Sequence, residues 1–192
     1  MLLRKPHHRV LTALVCSCLV QLMLYGTAQG QDPLTQKLET RRTVLMFQRM
    51  EDLSRFESSI NYSGGEFTLK GLFSSSLQGD ELVDTVSRKV DALYERVQEI
   101  LDMRGQIPKV ILRLYPNKDA LARVYQAFTG SATLRVRAWY IYERNTIYLN
   151  VDDVHEGMLA HEIAHAIIDH YLTVRPPRAT AEILARYVDE HL

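Results

Sequence analysis

Cysteine is almost missing from this chain, with two in 192 residues, Cys16 and Cys18. Both fall within the first thirty positions. The rest of the sequence therefore has no thiol, and with it no disulfide, no zinc–thiolate site and no cysteine nucleophile. Beyond residue 30 no apolar run approaches the ~20 residues that span a bilayer, and there is no internal repeat or low-complexity tract. An excess of positive charge is lacking too. The whole chain balances 23 basic against 23 acidic side chains. Arg4, Lys5 and Arg9 are the only charges in residues 1–30, so the remainder has 20 basic and 23 acidic residues, a net −3. A mildly acidic protein offers no electrostatic footprint for nucleic acid, which argues against that partner.

The first thirty residues have an organisation of their own. Met1–Arg9 is basic, Val10–Tyr25 is a nearly unbroken apolar run of 16 residues, and the small residues Gly26, Ala28 and Gly30 follow. This is the three-part pattern of a secretory signal peptide, with Ala28-Gln29-Gly30 suited to cleavage. The run is short for a retained anchor. Val15-Cys16-Ser17-Cys18 faintly resembles a lipoprotein site, but the apolar run continues past Cys18. The expectation is a protein exported to a periplasm or an extracellular space, with no membrane contact after cleavage. Without disulfides, its remaining ~160 residues must fold on a core, or on a core plus a metal, and that length suffices for a core.

Along this remainder, residues 31–40 are polar and read as a lead-in. Arg42–Gln48 reads as a strand and Glu51–Ile60 as a short helix, and the Gly- and Ser-rich stretch 61–79 holds one strand-like piece, Glu66–Phe73. From Asp80, Leu82, Val86, Val90, Leu93, Val97 and Ile100 recur every three or four residues, one apolar stripe of a helix that Gly105 and Pro108 end. Val110, Leu112 and Leu114 alternate as in a strand. Asn117 is placed to cap a helix carrying Leu121, Val124, Tyr125 and Phe128, stopped by Gly130. Val136–Tyr142 and Ile147–Val151 read as a hairpin, and two helices close the chain. The pattern predicts an α+β domain.

One segment carries chemistry: Met158-Leu159-Ala160-His161-Glu162-Ile163-Ala164-His165-Ala166-Ile167, which contains H-E-x-x-H. Its other positions are uncharged and free of proline, as in a buried helix. Residues four apart share a helical face, so His161 and His165 can aim imidazole nitrogens at one metal ion with Glu162 beside them. Neutral imidazole suits zinc, which in catalytic sites takes three protein ligands and keeps a place for water. Glu162 would be the general base for that water. Burying two histidines and a glutamate on an apolar helix without a cation would be costly.

The third ligand is not the histidine of H-E-x-x-H-x-x-G-x-x-H, because positions 168 and 171 are Ile168 and Tyr171. After Pro176-Pro177, Ala179–His191 reads as a further helix with Glu182 in its first turn, 17 residues beyond His165. This arrangement resembles the gluzincins, zinc metallopeptidases whose third ligand is a glutamate on the helix after the motif helix, and Ala181–Val188 is similar to their glutamate helix. The likeness covers residues 80–192 and is closest to the compact, peptidase MA-like members. It implies a small zincin-like domain with a mixed sheet, an accessory segment over 31–79, Zn²⁺ on His161, His165 and Glu182, and a peptide or protein substrate. It further implies that the Ile147–Val151 strand borders the cleft and pairs with an extended peptide.

Where many larger gluzincins have an aspartate four residues after the glutamate ligand, this chain has Arg186. Asp189 and Asp169 are the candidates for the carboxylate that orients a zinc histidine. An oxyanion donor would come from Tyr187, Tyr171, Tyr140 or Tyr142, from a partner, or from the zinc alone. His155 and His191 suit surface or capping roles, His170 is turned off the metal face, and Tyr140, Tyr142 and Tyr148 suit cross-strand packing. The same residues also allow a zinc-stabilised peptide- or protein-binding module without turnover.

Overall fold

The computed structural model describes residues 34–62, 79–131 and 137–192. The signal-peptide reading of residues 1–30 and the strand read over 66–73 lie outside these residues. Five strands form one mixed sheet: β1 (Gln36–Glu39), β2 (Thr43–Phe47), β3 (Val110–Tyr115), β4 (Ala138–Ile141) and β5 (Thr146–Asn150). Five helices accompany it: α1 (Met50–Ser59), α2 (Asp80–Ile100), α3 (Lys118–Thr129), α4 (Glu156–Tyr171) and α5 (Arg178–His191). The fold is α+β, and no helix of the described residues is long and apolar enough to cross a membrane.

The strand order is β1-β2-β3-β5-β4, with β2, β3 and β5 parallel and the two outer strands antiparallel to their neighbours. Period-two alternation sorts the side chains. Leu45, Phe47, Leu112, Leu114, Ile147 and Leu149 face the main core, which the apolar sides of α1, α2, α4 and α5 complete. Tyr115, Tyr148, Trp139 and Met46 belong to a smaller cluster on the opposite face with Leu121 of α3. There Trp139 stacks on its cross-strand partner Tyr148 with ring centroids 4.9 Å apart.

The polar lead-in does more than the sequence suggests. Residues 36–39 form β1, and β1, β2 and α1 share the core of the later elements. One buried carboxylate fixes their junction. Asp91 of α2 accepts hydrogen bonds from Thr40 Oγ1 at 2.7 Å and from the backbone amides of Arg42 and Arg41 at 3.0 and 3.1 Å. The turn between β1 and β2 is thereby tied to the middle of the longest helix. The expected caps form as well: Asn117 accepts the Ala120 amide, and Gly130 ends α3 at φ +70°, a conformation glycine adopts without strain.

Strand order corrects one expectation. β5 lies between β3 and β4 with all five residues buried, so the Ile147–Val151 strand has no free edge on which to take a peptide. Among the described residues, the free edge beside α4 belongs to β4. A hairpin turn over Tyr142–Arg144, closed by Asn145 at φ +43°, brings that edge strand back along β5.

Candidate metal centre

The metal-ligating side chains come from two adjacent helices. α4 buries Leu159, Ala160, Ile163, Ala164, Ile167 and Ile168 completely. This wide apolar arc leaves a narrow polar wedge carrying His161, Glu162, His165 and Asp169. His155 caps the helix start by accepting the Met158 amide on Nδ1. α5 packs along α4 and buries Ala181, Ala185 and Val188, which are four and three residues apart. Glu182, next to that buried stripe, consequently turns toward the wedge.

His161, His165 and Glu182 converge, each offering one ligand atom, with these atoms all within 4.8 Å of one another. His161 Nε2 and His165 Nε2 are 3.2 Å apart, and Glu182 oxygens lie 3.7 Å from the first and 3.8 Å from the second. Ligands at ~2.0–2.1 Å from a tetrahedral ion stand ~3.3 Å from each other, so the donor set fits a small divalent cation. The tautomer fits as well. Asp189 Oδ2 lies 3.0 Å from His161 Nδ1. A carboxylate there accepts the ring proton on Nδ1 and leaves the Nε2 lone pair facing the cluster. Asp189 is seven residues after Glu182, two helical turns on and so on the same side of α5. Asp169, the other candidate, is taken by Arg175 at 3.0 Å through both Nε and Nη2.

Glu162 sits beside the cluster, where the Tyr140 backbone amide of β4 favours its charged form. Burial pushes its pKa up to about 7; His161 and the Tyr140 amide oppose that rise, while Glu182 and Asp189 add to it. Burial holds His165 below the usual imidazole value, with the neighbouring His161 acting in the same direction. A neutral imidazole is the form that binds metal.

The four tyrosines are engaged elsewhere. Tyr140 Oη is 2.9 Å from His170 Nε2, and Tyr142 stacks on the same imidazole with Arg175 over its ring. Tyr171 rests against Gly105, and Tyr187 stacks on His191. Among the described residues none of these four hydroxyls contacts the cluster, and His170 and His191 stay out of it. A groove of ≈ 730 Å³ lined by Arg42, Glu95, Arg96, Glu99 and Arg104 is separate, since none of its lining residues belongs to the cluster. Two neighbours of the cluster were not read from the sequence: the Tyr140 amide beside Glu162, which depends on strand order, and Arg178, whose Nε is 3.6 Å from Glu182 Oε1 and which the four-residue spacing could have signalled. Comparison with family models, with curated proteins and with solved structures gives no match.

Proposed function

We propose that this chain is an exported, zinc-dependent metallopeptidase with a minimal gluzincin-type domain. The observation that carries the reading is the convergence of His161, His165 and Glu182, with Asp189 setting the His161 tautomer. The mixed sheet with an antiparallel edge strand beside the motif helix is in keeping with a zincin-like fold. Zinc held by the three residues would supply a Lewis acid and a bound water acidified to a pKa of ~7. Glu162 is placed to accept the water's proton on its carboxylate and return it to the departing amine. The free edge of β4, rather than β5, is the surface on which an extended peptide would lie.

The test has two parts. Purified protein should hold about one zinc per chain by elemental analysis, clearly weakened in Glu182→Ala. Hydrolysis in a peptide library should disappear in Glu162→Gln while zinc is retained. Unchanged hydrolysis in that variant would sink the assignment. A zinc-stabilised binding module is favoured by one observation, that none of the hydroxyls of Tyr140, Tyr142, Tyr171 and Tyr187 hydrogen-bonds to the cluster among the described residues. For that reading, Glu162→Gln leaves peptide binding intact and His161→Ala unfolds the protein.

A further inference from the structure

Resting on the reading of the cluster as a metal-dependent peptide site, we infer that the site selects peptides carrying acidic side chains next to the bond it handles. The two selecting residues are Arg178 and Arg186. Positions 178, 182 and 186 are one helical turn apart and share a side of α5, so a guanidinium stands on either side of the proposed glutamate ligand. Arg178 reaches the cluster directly, with Nε 3.6 Å from Glu182 Oε1, and its side chain is 90% exposed. Arg186 is exposed and makes no hydrogen bond or ion pair among the described residues.

Charge accounting on this side of the helix leaves both cations available. Of the three acids there, Glu182 lies against the histidine pair, Asp189 against His161 Nδ1, and Glu190, four residues after Arg186, makes no ion pair with it among the described residues. Arg178 has Glu182 as its one acceptor, and a carboxylate that ligates a cation is a weaker partner for a guanidinium. The incoming group that satisfies both arginines is a carboxylate, which a guanidinium can hold through two parallel hydrogen bonds. A lysine-bearing peptide would meet like charge on both sides of the metal ligand. A role confined to helix stability is the competing account of Arg178, since an i,i+4 pair with Glu182 gives a few tenths of a kcal/mol by itself. That account predicts no dependence on peptide charge.

The experiment uses full-length Glu162→Gln protein loaded with zinc, so that binding is read without turnover. Three fluorescent peptides share an Ala-Leu centre flanked by pairs of Glu, Gln or Lys, and their affinities are measured by fluorescence anisotropy. The Glu peptide should bind about ten-fold tighter than the Gln peptide, the scale of two exposed ion pairs, and the Lys peptide weakest. The preference should shrink between ~0.05 and ~0.5 M salt. In Arg178→Gln/Arg186→Gln the Glu peptide should fall to the Gln level, with Gln-peptide affinity and zinc per chain unchanged. Arg186→Glu should move the preference toward Lys. Equal binding of the Glu and Gln peptides, a preference that survives the double substitution, or no binding of any peptide overturns the inference. Zinc per chain of the wild type is read on the same preparation. Absence of zinc sinks the metal site itself, whereas one zinc without a charge preference sinks the selectivity alone.

Discussion

Asp189 illustrates how one exposed carboxylate can govern a metal ligand. It touches no proposed substrate position, but its contact with His161 Nδ1 decides which ring nitrogen carries the proton. Asp189→Asn should lower zinc affinity ~10–100-fold, the usual cost of losing such a partner, while circular dichroism stays unchanged; competition with a chromogenic chelator measures it. Glu162 carries a second, opposite lesson, because burial raises its pKa from 4.5 to about 7. A carboxyl whose folded pKa lies above its unfolded one favours the folded state at low pH. That contribution is lost as pH rises from ~4.5 to ~7. His165, held below the usual imidazole value, acts with the other sign, adding stability above pH ~6.5 and losing it as pH falls. Metal-free protein should therefore lose stability between pH 5 and 7 through Glu162, and Glu162→Gln should remove that loss. Parallel urea titrations of the two proteins at pH 5 and 7 decide it. Identical pH dependence would show that Glu162 is not desolvated as the geometry implies.

At the scale of elements, the α2–turn junction is the most consequential polar contact outside the centre. Asp91 is 4% exposed and serves two backbone amides and a threonine hydroxyl. Asp91→Ala leaves those donors without an acceptor, so unfolding free energy should drop by ~2–4 kcal/mol; Asp91→Asn, which keeps one acceptor oxygen, should cost less. How far each element was legible follows from the same physics. α2 was readable end to end because a stripe repeating every three or four residues has one structural solution. α4 was readable because two histidines at a four-residue spacing share one face. β1 was hidden, since in Gln36–Glu39 Leu38 alone is buried and the other three side chains are exposed. The edge of the sheet was misread for a subtler reason. Alternation tells which side of a strand faces the core, but strand order depends on which neighbours supply hydrogen bonds. The uninterrupted burial of Thr146–Asn150 follows from that order, because a strand enclosed on both faces and both edges is interior. Asp189 was within reach, because a seven-residue interval on a helix returns to the same side.

For the molecule as a whole, the three ligands do something no single helix can. α4 ends at Tyr171 and α5 begins at Arg178, joined by a short segment containing Pro176 and Pro177. Ala181, Ala185 and Val188 of α5 are buried, and a cation bridging His161, His165 and Glu182 would add a cross-link to that packing. Binding to the folded state alone stabilises it by ~2.7 kcal/mol when free metal is a hundred times its dissociation constant. In a domain of this size that corresponds to a rise in Tm of roughly 5–11 °C. Zinc addition should produce that shift and a chelator should reverse it, as read by differential scanning calorimetry. Glu182→Ala should cut the shift severely, because two histidines on one helix can hold an ion without joining α4 to α5. Hydrogen exchange should slow most at the α4–α5 seam and least in α3, which lies on the other face of the sheet. A full thermal shift retained in Glu182→Ala would mean that the third ligand lies elsewhere and that α5 is held to α4 by packing alone.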